Sequence, residues 1–388
     1  MSADVIVAGG GIGGLASALA AAAHGHRVTV LERGAAFTEL GAGIQLAPNG
    51  LHALDRLGLG AATRAVATPI DELRFMDGVT GEHVTSMPLG EGYRDRFGSP
   101  YVVVHRGELY RMLLEACRDT AGITLRAASP VAGFHQDATG VTALLAGGGR
   151  VGGAALVGAD GIHSAVRAAL VGDGAPRNSG ITVYRAIIPM HEVPEHLRSR
   201  AVTWWCGPKC HFVHYPIAGG RYLNLAASRD DGAPRPFAGR PATAEHVRAE
   251  LAALPAARHL LELGRDWRSW VLVDRDPVPG WTDGRVTLLG DAAHPMLHYA
   301  AQGACQALED AVTLGGLLGD GPGGLLEYQR RRLERTAAVQ RASRDSIRLW
   351  HAAGAAAARR NAALAAMTAT QLHDAVAWMH AERIGASR

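Results

Sequence analysis

The chain has 388 residues, of which 48% are hydrophobic and 19% are charged, and its formal net charge at pH 7 is +3. This composition excludes a disordered chain and suits either two domains or one domain with a large insertion. Arginines spread along the chain supply almost all of the positive charge, so the charge does not indicate a nucleic-acid partner.

The sequence indicates neither a membrane nor a metal. No apolar run is long enough to cross a bilayer, and the start carries no cleavable signal pattern. The cysteines are Cys117, Cys206, Cys210 and Cys305. They lack the spacing of a disulfide framework, which favours a cytoplasmic location. Two histidines lie near Cys206 and Cys210, but a C-x₃-C spacing without a second paired cluster matches zinc sites poorly, so no metal is predicted.

The first 32 residues have a pattern typical of a βαβ unit. A short apolar run leads into a glycine turn, an alanine-rich helix and a second apolar run that ends at Glu32. Gly9, Gly11 and Gly14 form G-x-G-x-x-G between the first strand and the helix. In dinucleotide-binding folds the first glycine makes the tight turn, the second lets a pyrophosphate approach, and the third lets helix and strand pack closely. The helix N-terminus then offers N–H groups to the phosphate.

Glu32 follows the last glycine of this motif by 18 residues. A carboxylate at this place accepts hydrogen bonds from an adenosine ribose and disfavours a 2′-phosphate, and the neighbouring Arg33 is a further candidate contact. A tight turn without a ligand is the structural alternative. The strand–turn–helix context with the acid in place favours dinucleotide binding.

Two boundaries between a loop or strand and a helix follow. The stretch GAGIQLAPN carries Gln45 and precedes a helix that Pro48 and Asn49 can start. The stretch VVVHRGELYRMLLEAC predicts a strand, then Arg106, then an amphipathic helix. The first boundary puts Gln45 on a glycine-rich loop, and the second puts Arg106 where a strand ends.

The chain changes character between about residues 175 and 275, where aromatic-rich, strand-like stretches predict an inserted antiparallel sheet. Before it, the glycine cluster at 147–153 predicts a hairpin turn rather than a second phosphate loop. After it, GRVTLLGDAAH returns to parallel-strand character. We predict a discontinuous dinucleotide-binding domain over 1–75, 100–175 and 276–325, a substrate domain over 76–99 and 176–275, and a C-terminal helical segment over 326–388. Within that segment we interpret the run YQRRRLER as a solvated helix face.

Residues 288–311 read LLGDAAHPMLHYAAQGACQALEDA, which places an acid and two histidines on a small-residue loop before a helix. One interpretation is a polar loop that caps the helix. The other is a loop that holds a large, flat, partly charged ligand. This stretch alone does not choose between the two.

Three separated motifs point to one family: the glycine motif with Glu32, the ADG at 159–161, and the GD at 290–291 followed by HP. In this order they resemble the single-component flavoprotein aromatic hydroxylases, which include salicylate hydroxylase and 3-hydroxybenzoate 6-hydroxylase, over roughly the whole length. The resemblance implies an α/β fold with an α+β insertion: a Rossmann-like FAD-binding domain with a parallel sheet, an antiparallel-sheet substrate domain and a helical C-terminal segment. It also implies FAD as the cofactor and NADH or NADPH as the co-substrate, bound transiently because only one dinucleotide fingerprint is present.

The resemblance implies particular cofactor contacts. Arg106 contacts FAD, and Asp160 with Gly161 serves both FAD and the nicotinamide nucleotide. Asp291, beside Gly290, matches the acid that binds the ribityl chain.

The same resemblance places the loop from Pro295 to Ala304 against the isoalloxazine ring. The following helix then points its N-terminus at the N1 and O2 side of the flavin, where N–H groups stabilise the anionic reduced form by about 0.5–2 kcal/mol. Small residues at Gly303 and Ala304 let the ring approach. Gln45 is expected to line the flavin or substrate edge.

The stretch CHFVHYP places His211 and Tyr215 four residues apart, so on a strand they share one face with Val213. Phe212 and His214 would share the other face. In the hydroxybenzoate hydroxylases that the chain resembles, a histidine and a tyrosine at this spacing face the substrate ring. A phenolate is a more electron-rich ring than a phenol, and a histidine of near-neutral pKa can take the phenol proton. We predict His211 as this base and Tyr215 as a positioning hydrogen-bond partner; the alternative is a packed histidine beside a core tyrosine.

Two further histidines, His294 and His298, lie on the loop between Asp291 and Gly303. His298 stands where related 3-hydroxybenzoate enzymes carry glutamine, and we predict a second proton relay or a partner for a substrate carboxylate. His294, next to a proline, is predicted to be structural. One of Trp204 and Trp205 should face inward, which favours a small flat ring. No arginine stands out as a clamp for a substrate carboxylate.

The resemblance implies an FAD-dependent monooxygenase that hydroxylates a small phenolic acid with NAD(P)H and O₂ through a flavin C4a-hydroperoxide. Salicylate, 3-hydroxybenzoate and an aminohydroxybenzoate are the candidate substrates. The alternatives are a flavin-dependent hydroxylase or epoxidase that tailors a larger metabolite, a hydroxynicotinate-type hydroxylase, and, from another class, a catalytically silent FAD-binding sensor. The helical C-terminal segment and the resemblance also favour a homodimer.

Overall fold

The computed structural model describes residues 3–38 and 41–383. Its strands, numbered in chain order, are Asp4–Ala8 (β1), Arg27–Leu31 (β2), Gly43–Leu46 (β3), Thr68–Pro69 (β4), Glu72–Asp77 (β5), His83–Pro88 (β6), Val102–His105 (β7), Ile123–Arg126 (β8), Val131–Gln136 (β9), Val141–Leu145 (β10), Arg150–Gly153 (β11), Ala155–Gly158 (β12), Arg177–Pro189 (β13), Ala201–Gly207 (β14), Cys210–Ile217 (β15), Tyr222–Asp230 (β16), Arg240–Pro241 (β17), Arg268–Asp274 (β18), Thr282–Asp283 (β19) and Val286–Leu288 (β20). Its α-helices are Ile12–Ala23 (α1), Pro48–Arg56 (α2), Gly60–Val66 (α3), Glu91–Phe97 (α4), Arg106–Asp119 (α5), Ala165–Leu170 (α6), Ala244–Glu250 (α7), Arg258–Leu261 (α8), Gly303–Gly315 (α9), Gly321–Trp350 (α10), Gly354–Ala365 (α11) and Ala369–His380 (α12).

The first sheet has six strands in the order β19-β20-β12-β1-β2-β8. Its pairings are parallel except for the short β19–β20 edge. Helix α1 connects β1 to β2, so the predicted βαβ unit is confirmed. The central strands β1 and β2 bury residues on both faces, because helices and loops cover both sides of a parallel sheet.

The second sheet has eight strands in the order β17-β18-β13-β16-β15-β14-β5-β6. The predicted antiparallel sheet is confirmed, and the pairing of β14 with β5 is a parallel exception within it. The hairpin of β5 and β6 comes from an earlier part of the chain, so no tight turn dictates its direction relative to β14. β5 begins at Glu72.

Two smaller sheets complete the strands. The glycine cluster forms the hairpin turn between β10 and β11, as predicted, and its last residues belong to β11. This hairpin joins β9 in a three-stranded sheet. The strands β3, β7 and β4 form another. Helix α2 begins with Pro48 at its first turn, as predicted, because proline needs no hydrogen-bonded N–H there.

Each large sheet packs against its own hydrophobic core. Buried side chains of β1, β2 and β12 join α1, α5 and α9 in the first core. On the far face of the second sheet, Phe212 packs with Leu254 and Trp267. The near face of the second sheet is therefore left to form one wall of a cavity against the first sheet.

Small residues bring α1 and α9 close together. A Cβ on Gly315 would lie 2.7 Å from the Cβ of Ala20, and a Cβ on Gly13 would lie 3.3 Å from the Cβ of Ala307. The approach at Gly315 needs glycine, because a backbone atom of Ala20 is also only 2.9 Å away. The N-terminal ends of α1 and α9 thereby both reach the same cavity.

The C-terminal helices pack back onto both sheets. In α12, His380 Nδ1 lies 2.8 Å from Tyr93 Oη, and His373 Nε2 lies 2.7 Å from the Pro88 carbonyl oxygen. The interpretation of YQRRRLER as a solvated face is wrong for Arg332, which is 2% exposed. Arg332 is buried because two carboxylates of α9 pair with it. Over the described residues, no helix is long and apolar enough to cross a membrane.

Candidate active site

A cavity of about 450 Å³ lies between the two large sheets, within the usual size range of small-molecule sites. It collects most of the predicted site residues. Those that line it are Gly11, Gln45, Arg106, Gly161, His211, Tyr215, Gly290, Asp291, His298, Gly303 and Ala304. Those outside its lining are Gly9, Gly14, Glu32, Arg33, Asp160 and Pro295.

The glycines of the first turn divide into packing and cavity positions. Gly9 has φ +105°, and a Cβ there would lie 2.3 Å from the Ala159 carbonyl oxygen. A Cβ on Gly14 would lie 1.9 Å from the Gly9 carbonyl oxygen. A Cβ on Gly11 would meet no atom within 4 Å, although Gly11 lines the cavity. The strand–helix turn therefore keeps space beside Gly11 that a pyrophosphate fits.

The same space continues at two further glycines. A Cβ on Gly161 or on Gly303 would also meet no atom within 4 Å, and both residues line the cavity. Three segments far apart in the chain thus present bare backbone to one volume. This cradle fits an extended dinucleotide such as FAD.

Glu32 lies at the carboxyl end of β2 with its carboxylate held by backbone. Its Oε2 accepts a hydrogen bond from Gly10 N at 2.8 Å, and its Oε1 accepts one from Gly34 N at 2.7 Å. Each carboxylate oxygen keeps a further lone pair for a ribose hydroxyl. Arg33 beside it is exposed.

Asp160 turns its carboxylate toward α6 rather than into the cavity. It accepts hydrogen bonds from Ser164 Oγ and from Ala165 N, the latter at 2.8 Å, and so satisfies the start of α6. Ala159 and Gly161 on either side line the cavity. The structure therefore supports Asp160 as the residue that fixes this turn.

Asp291 lines the cavity, and its side chain is exposed to that enclosed space rather than to the outer surface. Burial raises the pKa of this carboxyl, and the nearby His294 and Arg106 oppose that shift. Arg106 begins α5 and lines the same wall. Pro295 lies behind the wall, where its carbonyl oxygen accepts a hydrogen bond from Gln340 Nε2 at 3.1 Å.

The helix α9 begins at Gly303, on the cavity wall, after Ala301 in the left-handed region at φ +52°. Its first turn contains no acidic residue, so no carboxylate neutralises the positive end of the helix dipole. Gln302, at the N-cap, is fixed through its Oε1, which accepts hydrogen bonds from Asn49 at 2.9 Å and Gln306 at 3.0 Å. This end of α9 suits a group that becomes anionic.

A buried ionic network holds the loop that carries Asp291. Asp310 Oδ2 accepts a hydrogen bond from Gly290 N at 3.0 Å and lies 2.5 Å from His294 Nε2. Asp310 Oδ1 accepts one from Arg332 Nε at 2.7 Å. Burial would raise the pKa of Asp310, but His294 and Arg332 outweigh it and lower this pKa to about 2. His294 is thus structural, as expected.

The second sheet supplies the opposite wall. Its register places Arg185, Ala226, Val213 and Trp204 in one row across β13, β16, β15 and β14, and all of them line the cavity. His211 and Tyr215 flank Val213 on the same face. Trp204 is therefore the tryptophan that faces inward. Phe212 and His214 face the far side, with stacked rings whose centroids lie 5.7 Å apart.

His211 is a weaker base than predicted. Burial lowers its pKa well below the usual value, and the neighbouring His351 and His298 lower it further. The expectation of a near-neutral pKa is therefore wrong, because buried surroundings disfavour the charged imidazole. His298, whose Nε2 lies 3.3 Å from Ser228 Oγ, has its pKa lowered to about 3 by burial and by Arg185. Both imidazoles are neutral at pH 7 and can accept protons only transiently.

Tyr215 connects the two walls. Its hydroxyl donates a hydrogen bond to the Gly43 carbonyl oxygen at 3.1 Å, and Gly43 N donates to Asn224 Oδ1 at 3.2 Å. The phenolic oxygen keeps lone pairs for a substrate donor. Gln45, two residues along β3, accepts a hydrogen bond from Tyr101 Oη at 2.5 Å. Its amide is thereby oriented at the cavity edge.

Sequence reasoning missed four residues around this wall. They are Arg185, Tyr299, Trp350 and His351. Arg185 had a signal, since it is the one charged residue in the apolar run ITVYRAIIP. Trp350 and His351 had none, because they end a long helix far from every motif.

Comparison with known proteins agrees with this geometry. The chain matches the FAD binding domain family over residues 2–343. It is 45% identical over 382 residues to 3-hydroxybenzoate 6-hydroxylase 1 of Aquipseudomonas alcaligenes, which covers 97% of each chain. The chain belongs to the flavoprotein aromatic hydroxylases. FAD is the cofactor of this hydroxylase, and the open space beside Gly11, Gly161 and Gly303 fits it.

Solved structures share the whole architecture of the hydroxylase. A salicylate hydroxylase in complex with substrate is 26% identical with a TM-score of 0.84, over 98% of this chain and 96% of that one. HpxO of Klebsiella pneumoniae in complex with FAD and uric acid is 26% identical with a TM-score of 0.82, over 96% of this chain and 95% of that one.

Proposed function

We propose that this hydroxylase acts on a small phenolic acid, with a hydroxybenzoate as the best fit, using NADH or NADPH and O₂ as co-substrates. The proposal is supported by the cavity wall that carries His211 and Tyr215, and by the 45% identity to a protein named 3-hydroxybenzoate 6-hydroxylase 1. One observation carries the choice of an acid.

That observation is the environment of Arg185. Arg185 lines the cavity, and no carboxylate among the described residues forms an ion pair with it. Its Nε atom is buried without a hydrogen-bond partner, and its ring contact with Trp270 is 5.9 Å from the centroid. Burial lowers the pKa of Arg185, yet a guanidinium stays charged at neutral pH. A buried cation of this kind is stabilised by an anionic ligand.

The sheet sets the span between this cation and the base. Arg185 is level with Val213, which lies two strands away on β15, and His211 is two residues before Val213. The strand spacing and the rise per residue together place the Cα atoms of Arg185 and His211 roughly 12 Å apart. Both side chains point into the same volume. An aromatic ring that carries a carboxylate toward Arg185 can thus present its hydroxyl toward His211.

The residues on the first wall would hold FAD. Gly11 and Gly161 leave room for its phosphates and sugar chain, Asp291 can accept hydrogen bonds from the ribityl hydroxyls, and the N-terminus of α9 at Gly303 can face the ring. The chemistry that FAD would supply here is the activation of O₂ after reduction by the nicotinamide nucleotide, and the transferred oxygen atom would come from O₂.

The chain's own residues prepare the substrate. His211 accepts the phenol proton at Nε2, since its Nδ1 is engaged with His351. Tyr215 can accept a hydrogen bond at its phenolic oxygen. Trp204 and Trp350 line the wall and exclude water from the reacting ring.

Paired substrates test the proposal. Hydroxybenzoates, aminohydroxybenzoates and hydroxynicotinates are each compared with the matching carboxamide, and NAD(P)H consumption is recorded together with product mass. We expect an acid to give a hydroxylated product and its carboxamide to bind much more weakly. A carboxamide that performs as well as its acid would contradict the role of Arg185. Stimulation by none of the acids would favour the tailoring enzyme or the silent FAD-binding sensor.

We also propose a cytoplasmic location. Cys117, Cys206, Cys210 and Cys305 are all free thiols in buried positions, which supports a reducing compartment.

A further inference from the structure

His351 lies against the proposed base, although it belongs to the C-terminal segment. Its Nε2 atom is 2.9 Å from His211 Nδ1 and 3.3 Å from Tyr299 Oη. Its carbonyl oxygen accepts a hydrogen bond from Lys209 N at 3.1 Å, which ties the end of α10 to the turn before β15. The position of His351 relative to His211 is therefore held by backbone as well as by side chains.

The contact between the two imidazoles determines which nitrogen of His211 can act as a base. A neutral imidazole carries one N–H, so a proton on Nδ1 leaves Nε2 as a bare acceptor. His351 Nε2 can accept that Nδ1–H only when its own proton is on Nδ1. In this arrangement His211 Nε2 is available to a phenol in the cavity.

We propose that His351 is a positioning residue that orients His211 and fixes the tautomer in which its Nε2 is the base. This inference rests on the proposed function. When the phenol O–H bond breaks, the proton forms a bond to His211 Nε2. His211 then carries a proton on both nitrogens and its Nδ1–H donates to His351 Nε2. The substrate is left as a phenolate beside this imidazolium.

The low proton affinity of the pair makes an acceptor for His211 important. Burial and two neighbouring imidazoles lower the pKa of His211, and burial with Arg229 lowers the pKa of His351 to about 4. A proton taken up by His211 is therefore costly unless its Nδ1–H has an acceptor, and His351 Nε2 lies 2.9 Å away in that position.

Other titratable groups face the pair and bear on any pH profile. His298 and Tyr299 approach His211 from the loop before α9, with ring centroids at 6.0 Å and 5.0 Å. Cys206 stands opposite His211 on β14 by register. At the end of β16, the charge of Arg229 lowers the pKa of His351, and the charge of Asp230 raises the pKa of Tyr299.

The test measures ionisation of a bound phenol in the FAD-loaded enzyme without NAD(P)H, so that no turnover occurs. The ultraviolet phenolate band of bound 3-hydroxybenzoate is titrated against pH in the wild type and in the variants His211→Ala, His351→Phe and His351→Gln. His373→Gln is the matched control, since His373 is a buried, hydrogen-bonded histidine of the same segment away from the cavity.

We expect His351→Phe to raise the pH at which the bound phenol ionises by about one unit or more, with FAD content and substrate affinity little changed. His351→Gln should fall between wild type and His351→Phe, since its amide oxygen can accept the Nδ1–H but is a weaker base than an imidazole nitrogen. The product formed per NAD(P)H consumed should fall in the same order. His373→Gln should titrate like the wild type.

The outcomes separate the inference from the proposed function. A wild-type ionisation profile in both His351 variants, together with a shifted profile in His211→Ala, would overturn the inference and leave the proposed function standing. A wild-type profile in His211→Ala as well would remove His211 as the base and the proposed mechanism with it. If His351→Phe loses FAD, the profile of His351→Gln decides.

Discussion

At the scale of single residues, we propose that Arg185 selects acidic substrates and that His211 takes the phenol proton. Arg185 is a cation that the described part of the fold leaves without an acidic partner, and an anionic ligand would stabilise it. Burial lowers the pKa of His211, which favours a neutral imidazole that can accept a proton. In this proposal, charge recognition and proton removal lie at different ends of one cavity wall.

Replacing Arg185 should change substrate choice more than turnover. In Arg185→Gln, loss of a charge-assisted hydrogen bond should raise the KM for a hydroxybenzoate by about 10- to 100-fold and leave kcat less affected. Arg185→Lys should be intermediate, because lysine keeps the charge but loses the planar fork. The measurement is KM for the acid and for its carboxamide in each variant.

The carboxamide serves as the internal control, since its KM should barely move. Arg268→Gln is the matched variant, because Arg268 is an exposed arginine on the neighbouring strand β18. An equal rise in KM for acid and carboxamide would show that Arg185 supports the wall rather than binding a carboxylate.

Residue positions were predictable from sequence where a local rule applies. Strand alternation alone places His211 and Tyr215 on one face. Arg185 needed attention to a single charge within an apolar strand. His351 had no local rule at all, because its proximity to His211 depends on where a 30-residue helix ends.

At the scale of elements, the first strand–helix turn separates packing from ligand binding within one motif. Gly14→Ala places a Cβ 1.9 Å from a backbone oxygen, so it should destabilise the fold itself. Gly11→Ala places a Cβ in open space at φ −76°, which any residue adopts, so the protein should fold normally. That Cβ would nevertheless occupy the volume assigned to the pyrophosphate.

We expect Gly11→Ala to weaken FAD binding by about 10- to 100-fold, the cost of a close steric conflict of about 1–3 kcal/mol. The melting temperature of its FAD-free form should match that of the FAD-free wild type. Gly14→Ala should lower both FAD content and this melting temperature. FAD titration by flavin fluorescence and thermal unfolding measure the two effects, and wild-type FAD affinity in Gly11→Ala would place the phosphates elsewhere.

Elements joined by short connections were predictable, and elements paired over long distances were not. The βαβ unit and the β10–β11 hairpin follow from patterns within a few tens of residues. The parallel pairing of β14 with β5 joins segments more than a hundred residues apart, so no local pattern fixes its direction.

At the scale of the whole molecule, the C-terminal helices complete the site rather than follow it. Helix α10 supplies Arg332 to the buried carboxylates of α9 and Trp350 to the cavity wall, and His351 just after it contacts His211 from behind that wall. The sequence did not reveal this role, because the run YQRRRLER looks solvated throughout. Arg332 is buried only because the tertiary structure brings its carboxylate partners to it. The division into domains at the predicted boundaries stays a prediction.

The buried network around Asp310 should make stability depend on acid. Its pKa is lowered to about 2 from the ordinary 3.8, so the folded state binds this proton less readily than the unfolded state. The resulting stabilisation is fully present above pH 3.8 and is lost as the pH falls toward 2; it amounts to about 2 kcal/mol. Urea unfolding of the FAD-loaded enzyme at several pH values between about 5 and 2.5 measures it, since this contribution should stay level down to about pH 4 and fall below it.

Asp310→Asn should be less stable at neutral pH, because Arg332 and His294 lose their charged partner. Its stability should also vary less steeply with pH than that of the wild type, since the group that titrates has been removed. Asp374→Asn, which removes an exposed partner of Arg96, should keep the wild-type slope. If stability varies equally steeply with pH in Asp310→Asn and in the wild type, other carboxylates cause the acid sensitivity. The loop that carries Asp291 would then be held by packing rather than by this charge network.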